Sequence, residues 1–494
     1  MNLADLLRQA AQAAGSKQAL IPAAEPGAAA TYGAFDAEAD RVAAFLRRSG
    51  ISLGDRAALL IGNSVEFAFA YFGILRAGAV AVPINPTYST REIEAVLADC
   101  EPSVLVADGS LTDLDKVRKP PTLVRVATVA GWDELGAPGE ERVEPAGGDD
   151  DLAVLAYTSG TTGEPRGAML THSNLLSSLT QQQSIDSGKV NPDDVVLMTV
   201  PLFHIFGLNV VLGLTVRAGA TGVLVDRFEP VEALELIARH RVSVLIGAPT
   251  MYASLAATPG AELYDLSSVR LAASGAAPLP PGVLTSFESV FGIPISEGYG
   301  LTETAPSLTS NKLEGAPRPR SVGKPLPGVE LRLVGERGED VETGDLGEVV
   351  VRGPNVFAGY WNRPEDTAAA FTHGWFRTGD VGVLDEEGYL YLVDRKRDLI
   401  IVSGFNVFPS EVEAVLTDHP KVAEAAVVGE PHTHTGESVA AYVVPVPGET
   451  PSIAELHRHC ERQLARFKRP SVIEIVDDLP HLQTGKVLKR ALRT

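Results

Sequence analysis

Between residues 157 and 167 the sequence reads Tyr157-Thr-Ser-Gly-Thr-Thr-Gly-Glu-Pro-Arg-Gly167, a stretch dense in glycine and hydroxyl side chains. The apolar run 152–156 before it predicts a buried parallel strand, and Thr171 after it is a candidate helix cap. A glycine-rich turn that joins a strand to a helix brings backbone N–H groups together, where they can bind phosphate oxygens. No Gly-Lys-Ser/Thr of a Walker A loop occurs in the chain. The stretch therefore predicts a loop that closes over a polyphosphate, and a flexible linker is the alternative.

Segments of strand-like and helix-like character alternate after this loop. Strands are predicted at 195–202, 221–225, 242–248 and 269–273, with helices near 206–218, 230–240 and 280–291. A similar alternation, which begins with a helix predicted at 37–48, precedes the loop between residues 37 and 107. Such alternation is typical of a parallel sheet covered by helices. Beyond residue 320 short alternating strands, such as those predicted at 330–334 and 347–352, are punctuated by Gly and Pro, and beyond residue 394 a smaller α+β pattern follows.

Composition narrows the classes of function. The chain has 494 residues and a formal net charge of -21, and this length suits roughly two to four folding units. A chain this acidic is unsuited to binding nucleic acid. To bind an anionic nucleotide it needs local cations, a metal ion or helix N-termini.

Cysteine usage and hydropathy predict the compartment. Cys100 and Cys460 are too far apart in sequence to suggest a disulfide framework or a metal site, which fits a reduced, cytoplasmic protein. The N-terminal residues lack the apolar core of a signal peptide. The longest apolar region, 67–84, is divided by an arginine, a glycine and a proline into a helix and a short strand. We therefore expect no transmembrane segment.

A second motif, Gly298-Tyr-Gly-Leu-Thr-Glu303, follows a predicted strand at 293–296. Ligands of open α/β sheets bind in the crevice outside the carboxyl ends of the strands. Glu303 is therefore a candidate ligand for Mg²⁺ held against phosphate oxygens, and Thr302 is a candidate phosphate donor. A turn with a solvated glutamate is the alternative, because short glycine motifs are weak signals on their own.

Three more segments carry candidate polar groups. Asp380 ends the segment Trp375-Phe-Arg-Thr-Gly-Asp380, and an acidic residue there suits paired ribose hydroxyls or caps a turn. The charged run that begins at Asp394 coincides with a change of composition, which predicts a domain junction or a solvated linker. Lys486 follows a glycine near the C-terminus, where a lysine either reaches a distant site or remains a surface charge.

In this order, the five segments resemble the adenylate-forming superfamily of acyl-CoA synthetases, luciferases and stand-alone adenylation enzymes. The resemblance extends from Thr31 to Lys486. It implies an α/β fold in which residues 1–394 form a large N-terminal domain of helix-covered sheets with a small β-barrel-like subdomain. It further implies that residues 395–494 form a small, mobile α+β C-terminal domain, which swings between two orientations.

The resemblance also assigns nucleotide-binding roles to individual positions. It places the β/γ-phosphates against Thr158, Ser159, Gly160, Thr161, Thr162 and Gly163, with Arg166 where the family has a lysine of different donor geometry. It places the adenine against Gly275, Ala276, Ala277 and the ring of Tyr299, and the ribose against Asp380 and Arg395. It gives the phosphate and Mg²⁺ contacts to Thr302 and Glu303, and the catalysis of adenylation to Lys486.

Three further positions concern the acyl group and CoA. His204, in Pro201-Leu-Phe-His-Ile-Phe-Gly207, corresponds to an aromatic gate near the carboxylate, although a histidine between aromatic residues is otherwise often a satisfied core residue. The hinge corresponds to Arg397, where the family often has Asp or Lys. Gly404 corresponds to a position beside the pantetheine channel, where a missing side chain leaves room for the arm of CoA.

The acyl pocket implied by the resemblance favours an uncharged tail. Malonate-activating relatives carry an arginine where this chain has Gly298, and amino-acid-activating relatives carry an aspartate that this chain lacks. Gly298 opens space for a tail, and Gly300 completes the acyl pocket. We therefore expect a monocarboxylic acid with a hydrophobic tail, a medium- or long-chain fatty acid ahead of an aryl acid.

The resemblance implies an ATP- and Mg²⁺-dependent carboxylic acid–CoA ligase that forms an acyl-AMP and then an acyl-CoA thioester. Its partners are small molecules, namely ATP, the acid and CoA, and homodimer formation is left open. One alternative is an acyl-AMP ligase that loads a carrier protein, although the insertion typical of those relatives is not evident. Another is a non-catalytic acyl- or nucleotide-binding homologue, although Glu303 and Lys486 are both present.

Overall fold

The computed structural model describes residues 1–139, 141–159, 165–312, 316–395, 398–403, 405–432, 435–481 and 487–492. By contact density the chain divides into two compact units. The first unit comprises Met1–Glu330 and Arg352–Phe376, and the second comprises Leu331–Val351 and Arg377–Thr494. The domain boundary predicted between residues 394 and 395 differs from this division and stays a prediction.

The described chain contains short strands and helices in alternation. The helices are α1 (Asp5–Ala14), α2 (Tyr32–Arg48), α3 (Val65–Ala77), α4 (Thr90–Cys100), α5 (His172–Gln183), α6 (Leu214–Ala218), α7 (Pro230–His240), α8 (Pro249–Ala257), α9 (Pro281–Phe291), α10 (Pro364–Ala370), α11 (Pro409–Thr417) and α12 (Ile453–Gln463). The strands up to residue 325 are β1 (Gln18–Pro22), β2 (Ala30–Thr31), β3 (Arg56–Leu60), β4 (Val80–Pro83), β5 (Val104–Ala107), β6 (Arg125–Thr128), β7 (Leu152–Ser159), β8 (Pro165–Thr171), β9 (Val195–Met198), β10 (Thr221–Leu224), β11 (Val244–Gly247), β12 (Leu271–Ser274), β13 (Ile295–Tyr299), β14 (Thr309–Ser310) and β15 (Lys324–Pro325). The later strands are β16 (Glu330–Val334), β17 (Gly347–Arg352), β18 (Phe371–Thr372), β19 (Trp375–Leu384), β20 (Leu390–Arg395), β21 (Ile400–Val402), β22 (Phe405–Val407), β23 (Val422–His432), β24 (Gly436–Pro445) and β25 (Val472–Ile475).

Two large sheets form the core of the first unit. One has the strand order β15-β14-β13-β12-β11-β9-β10-β1-β2, and the other has the order β6-β5-β3-β4-β7-β8. From β13 to β1 the paired strands run parallel. Apolar side chains of these strands pack against α7, α8 and α9, as Leu197, Leu245, Ile237 and Phe287 illustrate. The predicted alternation of strands and covering helices is therefore confirmed.

The glycine-rich loop connects two antiparallel strands. β7 and β8 pair from Leu152–Thr171 at one end to Ser159–Pro165 at the other, so residues 160–164 lie between the strand ends. The helix predicted after the loop is present, and Thr171 caps it by accepting a hydrogen bond from the Asn174 amide at 3.1 Å. The prediction that the loop leads directly into this helix is wrong, because β8 intervenes before α5. Ala168 and Leu170 are both buried, and this two-residue alternation is the period of a strand.

Two helices differ from their predicted extents. α2 was expected from residue 37 but begins at Tyr32, because Thr31 caps it by accepting a hydrogen bond from the Ala34 amide at 3.2 Å. The helix expected near 206–218 is a π-helix from Phe206 to Gly213, followed by α6. Such helices are rare and occur frequently at functional sites.

A buried ion network ties α1, α2 and α3 together. Asp40 Oδ1 accepts hydrogen bonds from Arg8 Nη2 at 2.8 Å, from Arg76 Nη1 at 2.7 Å and from the amide of Val143 at 3.0 Å. Asp36 forms ion pairs with the same two arginines. Arg76 has no exposed surface, so its charge depends on these carboxylates for compensation.

The second unit contains most of one sheet and the whole of another. The first has the strand order β16-β17-β19-β18, with β20 beside β19, and it occupies the predicted β-barrel-like subdomain. The second has the order β22-β21-β24-β23, with β25 beside β24. α11 and α12 pack against this second sheet through Val412, Leu416 and Leu456. Across the described residues, none of the helices combines the length and apolar character needed to cross a bilayer.

Candidate functional site

Several predicted site residues of the first unit follow strands of one parallel sheet. His204 comes after β9, Gly275 to Ala277 come directly after β12, and Glu303 comes shortly after β13. β9 pairs with β10 on one side and with β11 on the other, so the strand order reverses there. The carboxyl ends of parallel strands lie at one edge of a sheet, and the reversal opens a crevice at that edge. The fold therefore places these candidates where ligands of open α/β sheets bind.

The segment predicted to line the adenine has an unusual backbone. Ala276 has a φ of +69°, a left-handed conformation that is uncommon for a residue with a side chain. A Cβ atom added to Gly275 would lie 3.0 Å from the ring of Phe206, so glycine allows close approach to the residue that starts the π-helix. Backbone outliers concentrate at ligand sites, which makes this conformation a supporting observation for the assignment.

Glu297 connects this segment to the strand that carries Tyr299. Its carboxyl Oε1 accepts a hydrogen bond from the amide of Leu279 at 3.0 Å. Glu297 is buried, and burial raises the pKa of its carboxyl to about 7. β12 and β13 are parallel neighbours. The loop after β12 is therefore tied to β13 two residues before the ring predicted to stack on adenine.

Glu303, the predicted magnesium ligand, lies in a single 3₁₀ turn from Thr302 to Thr304. Its side chain is buried, and its Oε1 accepts a hydrogen bond from the hydroxyl of Tyr360 at 2.8 Å. Its carbonyl accepts a hydrogen bond from the amide of Phe357 at 2.9 Å. Carboxylate oxygen is the ligand type that Mg²⁺ prefers, so this residue fits a magnesium ion held against phosphates.

Arg166 is engaged with the same segment. Its guanidinium lies 5.8 Å from the centroid of the Tyr360 ring, and its Nε lies 3.4 Å from Asp366 Oδ2. Ala168 bridges to Tyr360, and the amide of Trp361 donates to the Gly167 carbonyl at 2.8 Å. Residues 357–361 therefore join the hairpin at the phosphate loop to the turn that carries Glu303.

The candidates for the acyl pocket differ in their constraints. His204 Nδ1 accepts a hydrogen bond from the amide of Phe206 at 3.2 Å, and burial lowers the pKa of the imidazole to about 4, so the ring is neutral at neutral pH. A Cβ atom on Gly300 would lie 1.6 Å from the carbonyl oxygen of Pro306, whereas a Cβ atom on Gly298 would lie 3.3 Å from its nearest neighbour, the Thr309 carbonyl oxygen. Gly300 is thus required by a close backbone approach. Gly298 is also closely packed, because a Cβ atom there would require the Thr309 carbonyl to move by a few tenths of an ångström, so the strand leaves less space at Gly298 than expected.

The predicted ribose residues are neighbours within the second unit. Asp380 and Arg395 are directly opposite each other in the antiparallel pair β19–β20. Asp380 is buried, and its amide donates to Thr378 Oγ1 at 3.1 Å. Cross-strand pairing of these two positions agrees with a shared role, which stays a prediction.

Other predicted positions have less structural description. Thr158 lies opposite Arg166, and Ser159 lies opposite Pro165 at the end of the β7–β8 pair. The following predicted residues lie outside the described part of the chain: Gly160, Thr161, Thr162, Gly163, Arg397, Gly404 and Lys486.

Two residues at this site were not predicted from the sequence. Tyr360 lies 57 positions from the Glu303 that it contacts, and a lone tyrosine carries no local signal of such a bond. Glu297 precedes the quoted glycine motif by one position. Glu297 could have been predicted because it is a carboxylate in an apolar strand, and a buried carboxylate needs a partner.

Comparison with known proteins identifies the family. The family described as "AMP-binding enzyme" matches residues 7–361, and the "AMP-binding enzyme C-terminal domain" matches residues 411–486. A long-chain-fatty-acid–CoA ligase of Bacillus subtilis is 35% identical over 503 residues, covering 92% of this chain and 88% of that protein. A feruloyl-CoA synthase of Amycolatopsis sp is 38% identical over 468 residues, covering 94% of each.

A solved structure extends the likeness to the fold. ATP-bound MatB from Rhodopseudomonas palustris superposes with a TM-score of 0.92 at 37% identity, covering 100% of this chain and 98% of that one. The predicted fold class, a large N-terminal region of helix-covered sheets with a smaller C-terminal domain, is confirmed. The chain therefore belongs to the AMP-binding enzyme family and is an AMP-forming ligase of the adenylate-forming acyl-CoA synthetase type.

Proposed function

We propose that this enzyme is an ATP- and Mg²⁺-dependent carboxylic acid–CoA ligase for acids with a hydrophobic tail. The observation that carries the proposal is the placement of Glu303, Tyr299 and the strained segment at Ala276 after neighbouring strands of one parallel sheet. Its relatives include a long-chain-fatty-acid–CoA ligase and a feruloyl-CoA synthase, which support both the CoA acceptor and an apolar acid. Between these substrate classes we place fatty acids ahead of aryl acids.

The reaction consists of two displacements. A carboxylate oxygen of the acid attacks the α-phosphorus of ATP, the new P–O bond forms, and the bond to pyrophosphate breaks. The thiolate of CoA then attacks the acyl carbonyl, a C–S bond forms, and AMP leaves with the former carboxylate oxygen. Both steps depend on alignment and charge stabilisation, because no covalent enzyme intermediate is needed.

The proposed roles of the residues follow from their chemistry. Lys486 bridges the carboxylate and the α-phosphate as negative charge develops, while Thr302 donates to a phosphate oxygen. The neutral ring of His204 shields the acyl carboxylate, and Asp380 with Arg395 holds the ribose. Mg²⁺, when bound by Glu303, neutralises charge on the phosphate oxygens.

Tyr360→Phe is expected to weaken Mg²⁺ binding without unfolding the enzyme. The variant removes the hydroxyl that donates to Glu303 at 2.8 Å and keeps the ring that packs near Phe357. Loss of an outer partner of a metal ligand typically weakens metal affinity by about 10–100-fold. We therefore expect the Mg²⁺ concentration at which ATP raises the melting temperature to increase by about 10–100-fold.

The matched control for this variant is Tyr391→Phe. Tyr391 also donates to a carboxylate, that of Asp385 at 3.3 Å, but it makes no bond to Glu303. Its Mg²⁺ dependence should equal that of the wild type. An unchanged Mg²⁺ dependence in Tyr360→Phe would contradict the proposal that the Tyr360 hydroxyl supports Glu303 as a magnesium ligand.

Gly298→Val is expected to discriminate against long or bulky acids. A Cβ atom at this position would lie 3.3 Å from the Thr309 carbonyl oxygen, so the neighbouring strand must move by a few tenths of an ångström to admit the side chain. The branches would occupy the space proposed for the tail, and overpacking typically costs about 1–3 kcal/mol, or roughly 10–100-fold in kcat/KM. Pyrophosphate release should fall by that factor for long-chain and aryl acids but stay close to wild type for acetate. An equal decrease for acetate would show that Gly298 does not face the tail.

A panel of carboxylic acids tests the proposed function as a whole. We expect acid-dependent pyrophosphate release in the absence of CoA and a thioester with free CoA that saturates as CoA increases. Formation of a thioester with a carrier protein but not with free CoA would favour the acyl-AMP ligase alternative. No pyrophosphate release with any acid would favour a non-catalytic homologue.

We also propose a reduced, cytoplasmic setting. Cys100 and Cys460 are both free and buried, and burial raises the pKa of their thiols to about 12 and about 11. Such thiols are poor nucleophiles, so neither belongs to the reaction. Assembly as a homodimer remains a prediction.

A further inference from the structure

The chain that follows Lys486 is tied back to the second unit within a few residues. Val487 bridges in antiparallel fashion to His481, and the amide of Leu488 donates to the Pro480 carbonyl at 2.6 Å. His481 and Val487 are therefore held side by side. Val487 immediately follows Lys486 in the sequence.

An ion pair fixes the same chain to a helix. Lys489 Nζ lies 2.7 Å from Glu413 Oε1, and the amide of Val427 donates to the same oxygen at 2.7 Å. The side chain of Lys489 is 22% exposed and that of Glu413 is 20% exposed. Charge-assisted bonds that are largely shielded from water are stronger and less screened than surface pairs.

Glu413 itself belongs to a rigid part of the unit. It lies on α11, whose Val412 and Leu416 have no exposed surface and pack into the core shared with β23 and β24. Beyond the ion pair, the Leu492 carbonyl accepts a hydrogen bond from the hydroxyl of Tyr442 on β24 at 3.0 Å. The described C-terminal chain thus has one charged attachment, at Lys489, with weaker attachments on either side.

We propose that Glu413 and Lys489 are positioning residues for adenylation, which hold the chain that carries Lys486 in the place its reaction requires. The proposal rests on the role assigned to Lys486 under the proposed function. Lys489 is three positions from Lys486, a reach of about 10 Å in extended chain. Displacement of a reacting group by about 1 Å can cost roughly 10²-fold in rate.

The test compares Glu413→Gln and Lys489→Met with a matched variant on the same helix. Glu411 also lies on α11 and forms an ion pair with Lys468, at 2.7 Å from both carboxylate oxygens, but that pair does not hold the C-terminal chain. We expect Glu413→Gln and Lys489→Met to slow pyrophosphate release about 10–100-fold. Glu411→Gln should leave the rate of that step at the wild-type value, and Lys489→Arg, which keeps the charge, should restore most of it.

Two readouts separate positioning from loss of structure. Thioester formation from pre-made acyl-adenylate should stay within a few fold of wild type in both variants, because that half-reaction does not use Lys486. In a Lys486→Ala background, Lys489→Met should cause no further slowing, since a residue that acts only through Lys486 has nothing left to position. Glu413→Gln is nearly isosteric, so it reports even if Lys489→Met is poorly folded.

The outcomes separate this inference from the function on which it rests. If Lys486→Ala is slow while Glu413→Gln and Lys489→Met adenylate at the wild-type rate, the positioning role is wrong and the function stands. If Lys489→Met slows the Lys486→Ala enzyme by the same factor by which it slows the wild type, the ion pair acts on general structure and the inference is overturned. If the wild type releases no pyrophosphate, or Lys486→Ala is unimpaired, the failure belongs to the proposed function.

Discussion

Lys486→Ala is expected to slow acyl-adenylate formation by about 10²–10³-fold, the cost of removing one electrostatic donor from a developing charge. The lysine is the cation proposed to bridge the incoming carboxylate and the α-phosphate. The expected result is low pyrophosphate release at saturating ATP and acid. Single-turnover measurement with CoA omitted isolates this step from product release.

The second half-reaction supplies the control within the same variant. Thioester formation from synthetic acyl-adenylate and CoA should be much less affected, because the proposed rotation of the C-terminal domain turns Lys486 away before that step. Lys489→Arg, which preserves a cation three positions along the chain, should keep most of the adenylation rate. Equal damage to both half-reactions would contradict the assignment of Lys486.

Asp40→Ala is expected to cost about 3–5 kcal/mol of the stability of the first unit, the penalty typical of breaking a buried ion pair. The carboxylate oxygen that serves Arg8 at 2.8 Å and Arg76 at 2.7 Å is lost, and the fully buried Arg76 is left with less compensation. The variant also leaves the amide of Val143 without the carboxylate oxygen to which it donates. The unfolding midpoint in guanidinium should therefore fall.

Tryptophan fluorescence isolates this transition. Trp132 and Trp361 belong to the first unit, and Trp375 lies at the end of that unit where β19 begins, so the emission of Trp132 and Trp361 follows the unfolding of the first unit. The control is Asp113→Ala, which removes a solvent-exposed pair with Lys116 and should produce no measurable shift. A midpoint for Asp40→Ala equal to that control would mean that the network contributes nothing.

Local patterns predicted much of the architecture. The strands at Glu330–Val334 and Gly347–Arg352 have the bounds expected from their alternation, because a two-residue period needs no distant information. The position of Glu303 after a strand of a parallel sheet was likewise predictable, since the apolar run and the glycines are both local. The start of α2 at Tyr32 was not predicted, and Gly33 in its first turn is a residue that disfavours helix.

Features that depend on distant contacts could not be predicted in this way. β8 contains Pro165 and Gly167, which suggest a loop, yet its edge pairs with Tyr360 far along the chain. The π-helix at Phe206 requires a different hydrogen-bond pattern from the helical periodicity that suggested it. The bond from Tyr360 to Glu303 is of the same kind, because only the folded chain brings the two side chains together.

Transfer of labelled oxygen tests the central claim most directly. The enzyme is supplied with ATP, CoA and a fatty acid whose carboxylate carries oxygen-18, and the masses of the products are measured by mass spectrometry. Attack of the carboxylate on the α-phosphorus predicts AMP that carries one labelled oxygen, with none in pyrophosphate. Formation of ADP with label in inorganic phosphate would instead indicate transfer of the terminal phosphoryl group, and it would contradict adenylation as the function of this enzyme.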